Sequence, residues 1–273
     1  MKWRKSYAVV AACTVAGLTA FNAQAQSAFA GFYGQLSTGY ESNQLGSQSD
    51  TSKVTPYANS DSTDAGPSRT FGSAPLVLGA GYYWQASEKW LIGLGADYSA
   101  LKQVSPSYSV FASNAPGSTS IGSGQTVSFN GISMQLSNRL NLFVTPGYAI
   151  DKDKLVYLKA GYSQVNAQYN LATSVTRTNN GVSNTFPGAG GNLSSNQNGY
   201  ILGLGYKQII TKGLYGFVEG NYMGYSAPSY SATSPVAINT NLLGISATST
   251  RAVTINFASL NTYQVLAGLG YAF

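Results

Sequence analysis

Residues 131–150 read GISMQLSNRLNLFVTPGYAI, and their alternation decides the fold class. Ile132, Met134, Leu136, Leu140, Leu142, Val144, Tyr148 and Ile150 share one parity, bridged by Asn138 and Pro146. Ser133, Gln135, Ser137, Arg139, Asn141, Phe143, Thr145, Gly147 and Ala149 hold the other. Successive side chains of a strand point to opposite faces, so this stretch predicts a strand with one oily and one mainly polar side.

The pattern spreads outward from there. In residues 90–101, Trp90, Ile92, Leu94, Ala96 and Tyr98 oppose Leu91, Gly93, Gly95, Asp97 and Ser99. Residues 75–86, 200–207 and 263–273 repeat it, with glycine recurring on the less oily side. Residues 29–40, 155–170 and 213–225 alternate more loosely, and the phase of the last two follows from placing Lys159 and Glu219 on the polar side.

The connections between these eight segments supply an independent signal. They run 34, 3, 25, 4, 26, 2 and 33 residues in chain order, so long and short alternate without exception. This predicts an all-β fold: an eight-stranded antiparallel up-and-down transmembrane β-barrel with long extracellular loops and short periplasmic turns. The longest apolar run outside the N-terminus, residues 74–84, holds eleven residues and contains Pro75, Gly79 and Gly81. A spanning helix needs about 18 or more.

Composition narrows the function classes. Only 9% of the 273 residues are charged, against roughly a quarter in an ordinary soluble domain. The chain has no histidine, which excludes every His-dependent triad and imidazole base and leaves no metal or cofactor site supported. We expect no enzyme activity and no cofactor. The glycine-rich run Pro187-Gly188-Ala189-Gly190-Gly191 lacks the lysine and the strand–loop–helix setting of a phosphate loop.

Residues 1–25 read as a secretory signal peptide, with Lys2, Arg4 and Lys5 before an apolar stretch and Ala23-Gln24-Ala25 as the cleavage site. Residues 26–273 then form the barrel domain, whose 12 basic residues exceed its 9 acidic ones by only three. That leaves no clustered basic face for nucleic acid. Val10-Ala11-Ala12-Cys13 offers a second reading, a lipoprotein box with Cys13 as the lipid anchor.

Charge placement follows from the assigned phases. Asp97, Arg139, Lys159, Lys207 and Glu219 point into the lumen, and none of the other charges faces lipid. Glu41, Asp50, Asp64, Arg177 and Arg251 fall in the long loops. The three inward cations sit on consecutive strands flanked by Asp97 and Glu219, which predicts an ion-pair network filling the lumen. The alternative is an ion path, since charged linings also set selectivity in channels. A soluble eight-stranded barrel would turn a polar face to water and an oily one inward. The Tyr and Trp residues near strand ends on the oily face fit a membrane girdle instead.

The segment from residue 26 onward resembles the small outer-membrane barrels of the OmpA/OmpX/opacity type. Gly31-Phe32-Tyr33-Gly34 with Gly39-Tyr40 looks like their opening strand. Gly268-Leu269-Gly270-Tyr271-Ala272-Phe273 is similar to the terminal signal recognised by the barrel-assembly machinery. The resemblance implies that Gly268, Tyr271 and Phe273 carry that signal; Leu266 departs from it, because a polar residue is usual there. It also implies a monomer in the bacterial outer membrane, bedded in lipid and lipopolysaccharide. With the sequence ending at Phe273, we expect no appended peptidoglycan-binding domain.

Function is then expected at the surface: a structural or adhesion-type role, with an extracellular or host protein as the candidate loop partner. Tyr57, Tyr108, Phe111 and Phe186 are the loop aromatics. Val127 and Phe129, with Val253, Ile255 and Phe257 in the outward phase of the last strand, predict strands that protrude as an exposed sheet edge able to recruit a partner strand. The alternative is a porin-like or OmpW-like small-solute conduit. That needs an oily upper lumen, against which Gln35, Gln135, Ser137 and Gln264 argue.

Overall fold

The computed structural model describes residues 27–273 apart from 56–61, 115–120, 122–123 and 241–244. The proposed signal peptide, Cys13 and Tyr57 lie outside the described residues. Every described element is a β-strand.

Eight strands close a ring. They are β1 (Gly31–Leu45), β2 (Leu76–Gln85), β3 (Trp90–Ser99), β4 (Gln125–Asp151), β5 (Lys154–Asn170), β6 (Asn192–Thr211), β7 (Leu214–Tyr225) and β8 (Leu260–Ala272). Each pairs antiparallel with the next. The register Tyr33↔Ala272 through Leu45↔Leu260 joins β8 back to β1 and removes every free edge from this level. At the lower end the turns are tight. Between β6 and β7, Lys212 and Gly213 both take positive φ, 37° and 85°, the sense of turn that matches the twist of paired strands.

The upper end, where the long connections lie, is not a set of bare loops. It carries a second sheet that lengthens the wall. Its strands run in the order Val182–Pro187, Ser174–Asn179, the first part of β4, Tyr108–Asn114, Ser62–Gly66, Gln48–Thr55, Ile245–Phe257 and Ser229–Thr240. The short strands Arg69–Ser73 and Gln103–Val104 pair with β1 and β4. Among the described pairings, only Val182–Pro187 and Ser229–Thr240 end this sheet.

The outside of the ring is a band of aliphatic side chains, including Leu36, Leu78, Leu94, Leu142, Leu204 and Val265, all exposed. Phe32, Trp84, Trp90, Tyr271 and Phe273 rim it below, and Tyr40, Tyr98, Tyr162, Tyr200 and Tyr263 rim it above. From Trp90 to Tyr98 the β3 backbone rises about 26 Å, close to the roughly 25 Å apolar band of an outer-membrane barrel once tilt and ring size are included.

Above the upper girdle the polarity inverts. On β5 the outward residues are Leu158, Ala160 and Tyr162, followed by Gln164, Asn166, Gln168 and Asn170. The inward ones are Lys159 and Ser163, followed by Val165, Ala167 and Tyr169. The outer solvent has changed from hydrocarbon to water, so apolar groups gain about 1.5–3 kcal/mol each by turning in.

On β4 the inversion requires a change of phase, and this corrects the single oily face expected for residues 131–150. Leu140, Leu142, Val144 and Ile150 are exposed, whereas Ile132, Met134 and Leu136 are buried inside. Asn138 takes φ 51°, and between the pairs Gln164↔Leu140 and Asn166↔Ser137 two β4 residues oppose Val165 alone. This is a β-bulge, which shifts parity by one residue. A second bulge lies at Gly131, φ 76°, so that Val127 points inward as well.

The expected protruding edge is corrected for the same reason. A break at Ala258–Ser259 turns Ile255 and Phe257 inward, where both are buried. Residues 250–256 of the strand Ile245–Phe257 are paired on both sides, and so is the upper part of β4.

Candidate functional site

The lumen is layered. At the lower end Tyr33, Tyr83, Tyr157, Tyr215 and Phe217 turn inward. The glycines on that face make room for them: a Cβ at Gly205 would collide with the Tyr157 ring, and one at Gly270 with Tyr215. Lys207 points into this cluster with its Nζ 4.2 Å from the Tyr33 ring centre, 4.9 Å from that of Tyr215 and 5.1 Å from those of Tyr83 and Tyr157. Its hydrogen bond goes to Gln35 Oε1 at 3.2 Å. Among the described residues Lys207 makes no ion pair, so it stands apart from the expected network. Ring faces carry negative charge density and stabilise the ammonium in place of a carboxylate.

At mid-depth Lys159 bridges two strands. Its Nζ donates to Asp97 Oδ2 at 2.6 Å and to Glu219 Oε1 at 2.8 Å. Glu219 also accepts from Tyr157 Oη at 2.7 Å and Asn221 Nδ2 at 2.7 Å, while Asp97 accepts from Asn141. All of these residues are buried. The two carboxylates sequence parity had placed beside three cations are thus spent on one.

One layer higher, Arg139 donates to Glu41 at 2.5 Å and to Asn43 and Thr262. Gln264 also donates to Glu41. Glu41 is completely buried, which corrects its assignment to a loop. Continuing the parity of Gln35 and Ser37 along β1 would have found it, because the strand runs five residues past the segment read from sequence. With the plug in place, Lys159, Lys207 and Arg139 fill the cross-section that an eight-stranded barrel encloses.

Above the plug the lumen becomes oily. Met134, Val165, Tyr169, Met223, Tyr230 and Phe257 belong to one buried cluster. Tyr108, expected on a loop surface, is inside with them; it donates to Gln48 at 2.9 Å, and Arg69 lies 3.6 Å over its ring. Phe111 and Phe186 are exposed. On this cluster rests a cavity of about 700 Å³, walled by residues such as Val110, Val127, Phe129, Ile132, Val253 and Ile255. The case against an oily upper lumen fails on placement. Gln35 and Gln264 lie in the plug or below it, and Gln135 and Ser137 belong to the part of β4 whose apolar residues face inward.

The cavity also holds Asp50, Asp64, Arg177 and Arg251, all expected on solvated loops. Asp50 and Asp64 are direct cross-strand neighbours. Burial pushes the Asp50 carboxyl up to about 7, with the Gln48 hydrogen bond opposing and Asp64 adding to the rise. Burial likewise pushes Asp64 up to about 6 against the pull of Arg251. The terminal residues Gly268, Tyr271 and Phe273 lie on β8 and just past its end, with the Tyr271 and Phe273 rings 5.1 Å apart on the lower girdle.

A ring with no free edge, an apolar outer band and two aromatic rims satisfy hydrocarbon's demand for internally paired backbone. The molecule is a small barrel of the outer-membrane type. No protein-family model and no curated protein matches the sequence. Among solved structures, the chain is similar to the outer-membrane protease OmpT from Escherichia coli at 12% identity, covering 91% of this chain and 98% of that one, with a TM-score of 0.38. It is similar to OprG from Pseudomonas aeruginosa at 12% identity, covering 89% and 96%, TM-score 0.41. It is also similar to Ail, the attachment invasion locus protein of Yersinia pestis, at 11% identity, covering 86% and 99%, TM-score 0.32.

Proposed function

We propose that this chain is a monomeric, non-catalytic eight-stranded barrel that presents an extended wall at the bacterial surface, with its long-connection end outside the cell and its short turns in the periplasm. The observation that carries this reading is the plug. Asp97, Lys159 and Glu219 saturate one another, Arg139 and Glu41 close the next layer, and the aromatic cage of Lys207 closes the one below. A barrel filled at three successive levels serves as an anchor, and its activity then lies in what it displays. The girdles meet lipid and lipopolysaccharide, Gly268, Tyr271 and Phe273 are offered to the assembly machinery, and the upper sheet faces extracellular or host proteins.

The test is electrical. Refolded protein in planar bilayers should show conductance at background. Stable ion-selective steps that disappear on Arg139→Ala would overturn the closed-lumen reading. For the adhesion role, deletion of residues 236–250 should abolish host or matrix binding by whole cells; unchanged binding removes its support.

A conduit for small solutes is the second reading, and the oily cavity of about 700 Å³ above the plug favours it. It requires the plug to open, and flux of an apolar solute into proteoliposomes would demonstrate that.

A further inference from the structure

The upper cavity has walls suited to an apolar molecule, and it also has a polar corner that is left unfinished. Asp50 on Gln48–Thr55 lies directly opposite Asp64 on Ser62–Gly66, and Ser52 follows Asp50 two residues along, on the same face. Asp50 and Ser52 are only 6% and 7% exposed. Asp50 Oδ1, Asp64 Oδ1 and Ser52 Oγ are buried without a hydrogen-bond partner among the described residues. All three residues line the cavity, together with Arg177 and Arg251, and Arg251 Nε is likewise buried without a partner among the described residues. Neither carboxylate makes an ion pair among the described residues; Arg251 attracts Asp64, and Asp50 faces Gln48 and Asp64.

We propose that this cavity binds a primary amine carried on an apolar or aromatic body, with the ammonium seated between Asp50, Asp64 and Ser52. A primary ammonium has three N–H donors and no acceptor, which matches the three orphaned oxygens one for one. Charge-assisted bonds of this kind are roughly twice as strong as neutral ones. The body of the ligand lies against Val110, Val127, Phe129, Ile132, Val253 and Ile255. A neutral apolar guest would leave the three oxygens buried and unpaired, and a calcium ion would want six to eight oxygen ligands.

The experiment uses the full barrel in nanodiscs, with empty nanodiscs subtracted, and three probes of similar shape: 2-phenylethylammonium, 2-phenylethanol and 3-phenylpropionate. Titration should give the ammonium at least tenfold tighter than the alcohol, with the carboxylate weakest. D50N/D64N should erase that preference and leave the alcohol unchanged, and V127W, which fills part of the cavity, should weaken both. Heat-dependent gel mobility checks that each variant is folded; if D50N/D64N fails to fold, V127W decides. Equal binding of ammonium and alcohol by the native barrel, an ammonium preference that survives D50N/D64N, binding unchanged by V127W, no binding of any probe, or calcium displacing the ammonium would overturn the proposal. Conductance through the plug would overturn the closed-lumen reading and leave this one standing.

Discussion

The Tyr98 hydroxyl donates to Asn138 Oδ1 at 3.0 Å. One partner belongs to the upper aromatic girdle, and the other is the bulged residue at which β4 exchanges its faces. The bond fixes, at a single level of the wall, both the end of the apolar band and the shift of parity. Below it, Leu140 and Leu142 turn outward; above it, Leu136 and Met134 turn inward.

Substitution of Asn138 therefore tests the bulge. A β-branched residue at φ 51° pays the left-handed penalty, so Asn138→Val should destabilise by about 1–2 kcal/mol. Asn138→Gly should lose less, because glycine accepts that conformation. Urea unfolding in lipid vesicles reads both, and a Val variant as stable as the native chain would argue against the bulge.

Spin labels map the inversion directly. Labels at Leu142 and Leu204 should report acyl chains, and a label at Gln135 should report water. A label at Gln135 in contact with lipid would restore the one continuous oily face that residues 131–150 suggest.

The mid-depth bridge should behave as a buried ion cluster. Lys159→Met leaves Asp97 and Glu219 buried together without their cation, at a cost of about 3–5 kcal/mol. The triple change D97N/K159M/E219Q removes all three charges and should recover most of that loss. Urea midpoints of the two variants measure the difference, and equal midpoints would mean that the charges are hydrated in the lumen.

Acid should tighten the upper sheet. The folded-state carboxyls of Asp50 and Asp64 lie near 7 and 6, above the ordinary 3.8. A raised carboxyl penalises the folded state above its own pKa, and the penalty fades as pH falls from about 7 toward about 4. Hydrogen exchange of Gln48–Thr55 and Ser62–Gly66, corrected for intrinsic rate, should therefore slow from pH 7.5 to pH 4.5. In D50N/D64N the change should vanish. Faster corrected exchange in acid contradicts the burial of the pair.

For Lys159 and Glu219 the inward direction was the premise that set the phase of their strands; alternation alone yielded the strands of the ring, the inward direction of Asp97, Arg139 and Lys207, and the oily face of the membrane band. Those depend on parity, which is local, and on the hydrocarbon, which acts on each outward residue separately. The partners of the cations depend on register across strands. Thus Arg139 met Glu41 from β1, and Lys207 met aromatic rings that glycines on neighbouring strands had admitted.

What the sequence determined by itself is the set of strands and the two faces of each within the membrane band, because a period of two holds for as long as no bulge interrupts the strand. What only the tertiary structure decided is where the rule reverses. Asn138 and the break at Ala258–Ser259 each move parity by one step, and a strand read in isolation does not reveal whether water or lipid lies outside it. Above the girdle the exterior is water, so the apolar side chains turned inward and enclosed a cavity where sequence had promised loops.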